Sequence, residues 1–163
     1  MNQIHNLFLD LEGVIIDDWH SGIPLLGNIA GIKQWVKLDK PDKIFIFSAA
    51  VWNDEDKQKT IKHLVPFIEI EIDQKIDGVI SMEEATNGLI EKIGFFDSIT
   101  DVLCSIGKDH LYNLWARKFH KHECSTLIDD SFGSSSCTYN ETGDLFRQTK
   151  VNIFDSNNLK KLF

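Results

Sequence analysis

Short apolar runs alternate with longer amphipathic stretches along most of this chain, and the runs end on polar or acidic residues. Residues 4–10, Ile-His-Asn-Leu-Phe-Leu-Asp, are too few for a helix and predict a buried parallel strand whose last residue is a carboxylate. Residues 11–27 hold Gly13, Gly22, Pro24 and Gly27 and read as turn and loop. A helix follows over about 28–38, with Ile29, Ile32, Trp35 and Val36 on one face and Pro41 closing it. Residues 43–48 predict a second strand, after which Asn53 or Asp54 caps a helix running toward Leu64. Residues 67–72 alternate like an exposed strand, and Ser81 with Glu84 fits a capping box opening a helix that ends near Gly94. Residues 99–103 predict a third strand, 109–119 a helix with Leu111, Leu114 and Trp115 inward, 125–128 a fourth strand running into Asp129 and Asp130, and 150–154 a fifth.

Strands alternating with helices predict an α/β protein: a Rossmann-like parallel sheet of about five strands, helices on both faces, and ligands bound beyond the carboxyl ends of the strands. A length of 163 residues predicts one domain spanning 1–163, with a small insertion at about 67–94. The net charge of −8 weighs against an extended nucleic acid as partner, while a short nucleic-acid end or a mononucleotide is compatible with it. No apolar run reaches the roughly 20 residues of a membrane span, and the N-terminus lacks the layout of a signal peptide, so a cytoplasmic protein without membrane contact is expected. Cys104, Cys124 and Cys137 are odd in number and form no CxxC pair, which predicts reduced thiols.

The chemistry concentrates in two acidic groups that follow predicted strands, Asp10 with Glu12 and Asp129 with Asp130. Carboxylates brought together from distant parts of a chain make a hard, oxygen-lined site of the kind that holds Mg²⁺ with a substrate phosphate. Taken singly, an acid after a strand is more often a turn former or a helix cap. Trp19 and Trp52 fall in the loops after the first two strands, where an indole either stacks on a substrate ring or packs the loop. His120, His122 and Cys124 alternate, but a closed zinc site needs a fourth ligand that the neighbouring sequence lacks. Asn53 and Asp54 are explained by capping, and Lys57, Lys59, Lys62 and Lys121 read as solvated surface.

Phe8-Leu9-Asp10-Leu11-Glu12-Gly13-Val14, then Ile46-Phe47-Ser48, then Gly107-Lys108, then Thr126-Leu127-Ile128-Asp129-Asp130-Ser131 resemble, in order, the four motifs of the haloacid dehalogenase (HAD) superfamily. The resemblance spans most of the chain, and residues 95–99 also look like the strand preceding the family lysine. It implies a HAD-like phosphatase in which Asp10 attacks phosphorus to form an aspartyl-phosphate. It further implies Mg²⁺ held by the Asp10 carboxylate, the Glu12 backbone carbonyl and Asp130, with Asp129 in the same site. Ser48, beside Ala49, would bind the transferring phosphoryl group, and Lys108 would balance charge on nucleophile and phosphate. Glu12 stands where most family phosphatases place an aspartate as general acid and base, and Asp10-Leu11-Glu12-Gly13 is similar to the Asp-x-Glu-Gly of the superfamily's enolase-phosphatases.

Lid domains in this family are inserted between motifs, yet only 38 positions separate Asp10 from Ser48 and 60 separate Ser48 from Lys108. An essentially capless site is therefore expected, bordered by the Trp19 and Trp52 loops, and covered either by a bulky substrate or by a second subunit of a homo-oligomer. The expected activity is phosphomonoester hydrolysis on a phosphorylated metabolite or nucleotide. The alternatives are a catalytically weak binding module that uses the acids structurally, and a nucleic-acid end phosphatase.

Overall fold

The computed structural model describes residues 4–93, 111–112, 123–130, 138–140 and 150–155. In chain order these form β1 (His5–Leu9), α1 (Leu26–Asp39), β2 (Lys43–Phe47), α2 (Asp54–Lys59), a π-helical turn (Thr60–Leu64), α3 (Val65–Ile72), β3 (Gly78–Ile80), α4 (Met82–Ile93), β4 (Cys124–Asp129), β5 (Thr138–Asn140) and β6 (Lys150–Asp155). The architecture is α/β, with four strands in the order β3-β2-β1-β4 forming an all-parallel centre. Beyond β4 lie β6, parallel to it, and β5, antiparallel to β6.

From β1 the chain moves to one side through β2 and β3, then returns to place β4 on the other side. Strand order thus reverses between β1 and β4, the point where open α/β sheets form a crevice beyond their carboxyl ends. Register puts Leu9 opposite both Ile46 and Ile128, so Asp10, Ser48 and Asp129 emerge at the same edge of the sheet.

Side-chain alternation along the strands separates two cores. Leu7, Leu9, Ile44, Ile46 and Ile128 pack with Ile29, Ile32, Trp35 and Val36 of α1 and with Val65, Ile68 and Ile72 of α3. On the opposite face Phe8 stacks on Phe45 with centroids 5.1 Å apart and meets the edge of Tyr112 at 5.0 Å. His5 ties the lower end of the sheet together, with Nε2 2.9 Å from Thr126 Oγ1 and Nδ1 2.8 Å from Asp39 Oδ2.

The predicted start signals operate as expected. Asn53 Oδ1 accepts the Asp56 amide at 3.0 Å, and Ser81 Oγ accepts the Glu84 amide at 3.1 Å while Glu84 Oε2 accepts the Ser81 amide at 3.4 Å. The helix expected at about 28–38 runs from Leu26 to Asp39 and ends at Lys40, whose φ of 50° breaks it before Pro41.

Residues 67–72 are a correction. They are helical, because α2 continues through the π-helical turn into α3 and buries Val65, Ile68 and Ile72 at helical spacing while Ile70 stays exposed. The Ile-Glu alternation was the weaker of two periodicities. Residues 67–94 also supply β3, which hydrogen-bonds to β2 within the central sheet, and α4. The strand expected at 99–103 lies outside the described residues, as does the helix expected at 109–119 except for Leu111 and Tyr112, both helical and buried. Among the described residues no helix is long and apolar enough to cross a membrane.

Candidate acidic site

The site begins where β1 ends. The Asp10 amide donates to the Ile128 carbonyl at 3.0 Å, the last rung joining β1 to β4, and the Leu11 amide donates to Asp10 Oδ1 at 2.8 Å. The chain then closes a tight turn over residues 11–16, in which the Val14, Ile15 and Ile16 amides all approach the Leu11 carbonyl, at 3.2, 2.8 and 3.0 Å. Leu11, Val14, Ile15 and Ile16 are buried, so the turn is fixed to the core by its own apolar residues.

Gly13 sits in this turn with φ +73°, and a Cβ there would lie 1.9 Å from Asp130 Oδ2. The Asp130 carboxylate occupies the space a side chain would need. Asp10 is 5% exposed, Asp129 is fully buried, and Asp130 keeps solvent access. Each offers an oxygen such that all three lie within 4.8 Å of one another. Ionised together, carboxylates 4.8 Å apart would repel by about 3.5 kcal/mol per pair for an effective dielectric of roughly 20. A cation held between them would relieve that repulsion. The donors are all hard oxygens, and separations within 4.8 Å include the roughly 3.0 to 4.2 Å between ligands of an octahedral cation with bonds of about 2.1 Å.

Glu12 stands apart from this cluster. Its Oε2 accepts the Trp19 amide at 3.0 Å, so the carboxylate is turned toward the loop after β1. That loop folds back on itself through an antiparallel bridge between Ile16 and Pro24. Two carboxylates order its tip: Asp17 Oδ1 accepts the Asp18 and Ile23 amides at 2.7 and 2.8 Å, and Asp18 accepts the His20 and Ser21 amides and the Ser21 hydroxyl at 2.8 to 2.9 Å. The Ser21 hydroxyl, with the Asp18 and Ile23 amides, lowers the Asp17 pKa below the usual carboxylate range. The Ser21 amide and hydroxyl, with the His20 amide, do the same for Asp18.

Ser48 is buried at the end of β2, its hydroxyl accepting the Ala50 amide at 3.2 Å, and Ala49 is exposed beside it. Trp19 and Trp52 are half-buried in their two loops; the Trp52 amide donates to Asp56 Oδ2 at 3.1 Å. Lys108, His120 and His122 lie outside the described residues. Lys59, which the sequence presents as one of several surface lysines, places Nζ 4.9 Å from the centroid of the Trp19 ring. No local signal marked it, because the contact joins segments 40 residues apart. A shallow groove lined by Val36, Lys37, Lys40, Pro41 and Gln74 lies where α1 and α3 end, at the opposite edge of the sheet from the acids.

Comparisons of the chain with protein-family models, with curated proteins and with solved structures returned no match.

Proposed function

We propose that this chain is a Mg²⁺-dependent phosphomonoester hydrolase of the haloacid dehalogenase type, with a Rossmann-like core and an aspartyl-phosphate intermediate on Asp10. The observation that carries the reading is the convergence of Asp10, Asp129 and Asp130 at the ends of the adjacent parallel strands β1 and β4. The three acids come from the first and fourth of the motifs that resemble that superfamily, and Gly13 of the first motif leaves the space into which Asp130 of the fourth fits.

Asp10, Asp129 and Asp130 would hold the cation, which supplies charge neutralisation for the phosphoryl oxygens when bound. In the first step an Asp10 carboxylate oxygen bonds to phosphorus as the ester P–O bond breaks, and the departing alkoxide takes a proton from Glu12. In the second a water oxygen bonds to phosphorus, its proton passes to Glu12, and the Asp10–phosphorus bond breaks. The Asp10 carboxylate is thereby restored. Ser48 donates to the phosphoryl group from the end of β2, and Lys108 is assigned the charge-balancing role by the resemblance alone. A phosphorylated metabolite or a nucleotide fits an edge bordered by the Trp19 and Trp52 loops.

Release of inorganic phosphate from an aryl phosphate, measured with Mg²⁺ and with EDTA, tests the reading. Mg²⁺-dependent release that Asp10→Asn abolishes supports it. No release from aryl phosphates, nucleoside monophosphates, sugar phosphates or phosphorylated oligonucleotide ends would replace it with the reading of a binding module.

A further inference from the structure

Trp19 is held at both ends. Its backbone N–H donates to Glu12 Oε2 at 3.0 Å, and its indole lies under the Lys59 ammonium, 4.9 Å from the ring centroid, while the ring packs against the core face covered by α1 and α3. The loop after β1 is thereby joined to the helix after β2. Lys57, two residues earlier in α2, pairs with Glu84 of α4, whereas Lys59 is directed to Trp19. The helix widens into its π-helical turn at the next residue, Thr60, whose hydroxyl donates to the Asp56 carbonyl at 2.8 Å. Such a turn changes the angular register of the side chains around it and is frequent at functional sites.

The consequence falls on Glu12. One of its carboxylate oxygens is fixed by a backbone amide, and no residue among those described takes the other in a hydrogen bond. A proton-transfer group oriented through one atom by a third group, with the second atom left for the reaction, is the arrangement that acid and base catalysis requires. We infer that Lys59 is a positioning residue: by holding the Trp19 ring it keeps the Trp19 amide on Glu12 and so orients the carboxylate that moves the proton. This inference rests on the hydrolase reading and on Glu12 as its acid and base.

An exposed cation–π pair corresponds to about a two- to fivefold change in an equilibrium constant. Hydrogen exchange of the Trp19 amide, followed by NMR in the substrate-free protein, should therefore quicken by about two- to fivefold in Lys59→Met, which keeps the aliphatic stem and removes the charge. Lys59→Arg should return it to the wild-type rate. With an aryl phosphate and Mg²⁺, Lys59→Met should lower kcat by a similar factor at unchanged KM, again with recovery in Lys59→Arg. Unchanged exchange in Lys59→Met overturns the inference, and so does a raised KM at wild-type kcat, which would make Lys59 a substrate contact. A wild-type protein without Mg²⁺-dependent turnover overturns the hydrolase reading and the catalytic role of Lys59 together, while the exchange rates still report separately whether the Lys59–Trp19–Glu12 linkage exists.

Discussion

Gly13→Ala strikes the acidic site without touching any of its carboxylates. The substitution has two consequences, and a second glycine separates them. The backbone at Gly13 has φ +73°, so any L side chain there is strained by about 1–2 kcal/mol. The added methyl would also stand 1.9 Å from Asp130 Oδ2 and 2.4 Å from its Cγ, where ordinary contact begins near 3.4 Å. Asp130 must therefore retreat by more than an ångström. A displacement of about 1 Å in a catalytic group costs on the order of 10²-fold in rate. Gly22 has a similar φ of +62° with nothing within 4 Å of the equivalent position, so Gly22→Ala carries the backbone strain alone. Urea unfolding should show Gly22→Ala destabilised by about 1–2 kcal/mol, equivalent to roughly 2–8 °C in Tm for a chain of this size, and Gly13→Ala by at least as much. Only Gly13→Ala should lose the Mg²⁺-dependent rise in Tm and about 10²-fold in phosphate release. If the two variants respond to Mg²⁺ alike, Asp130 is not held against Gly13 and the cation site lies elsewhere.

Asp10→Asn should abolish turnover while circular dichroism and Tm stay near wild type, since the amide keeps an oxygen at the site but cannot form the acyl-phosphate; near-normal activity would remove Asp10 as nucleophile. Glu12→Gln should slow hydrolysis by roughly 10²–10⁴-fold, the usual worth of general acid and base catalysis, and Glu12→Asp should keep part of the activity, as steady-state assays on both variants would show. Asp130→Ala should shift the Mg²⁺ requirement to higher concentration, and superimposable titration curves for it and the wild type would place the ligand elsewhere. The hydrogen bonds to Asp17 and Asp18 lower both pKa values from 3.8, so their contribution to the loop is complete above that pH and is lost as pH falls through the depressed values. NMR of the Ser21 and Ile23 amides should accordingly report loosening of the tip only below about pH 3.8, and Ser21→Ala should move that onset upward.

Local pattern determined much of the frame by itself. The strands at 5–9 and 43–47 are short apolar runs that satisfy burial on two faces only within a parallel sheet, and the helix ends follow from residues whose side chains bond their own backbone, Asn53 and the Ser81–Glu84 pair. The acids at the strand ends were equally legible, because an apolar run that stops on a carboxylate marks that carboxylate's position whatever the neighbours are. Tertiary structure decided the rest. Residues 67–72 carry both a twofold and a helical period, and the packing of Val65, Ile68 and Ile72 against α1 selected the helix. Strand β3 has three residues, too few for any period, and exists because β2 offers it a ladder. Which acids gather was also a matter of three dimensions: register between β1 and β4 joins Asp10 to Asp129 and Asp130, and the turn after β1 directs Glu12 to the Trp19 amide. Lys59 became more than a surface charge only when the helix after β2 was laid beside the loop after β1, since an ammonium and an indole 40 residues apart leave no trace in either segment's own sequence.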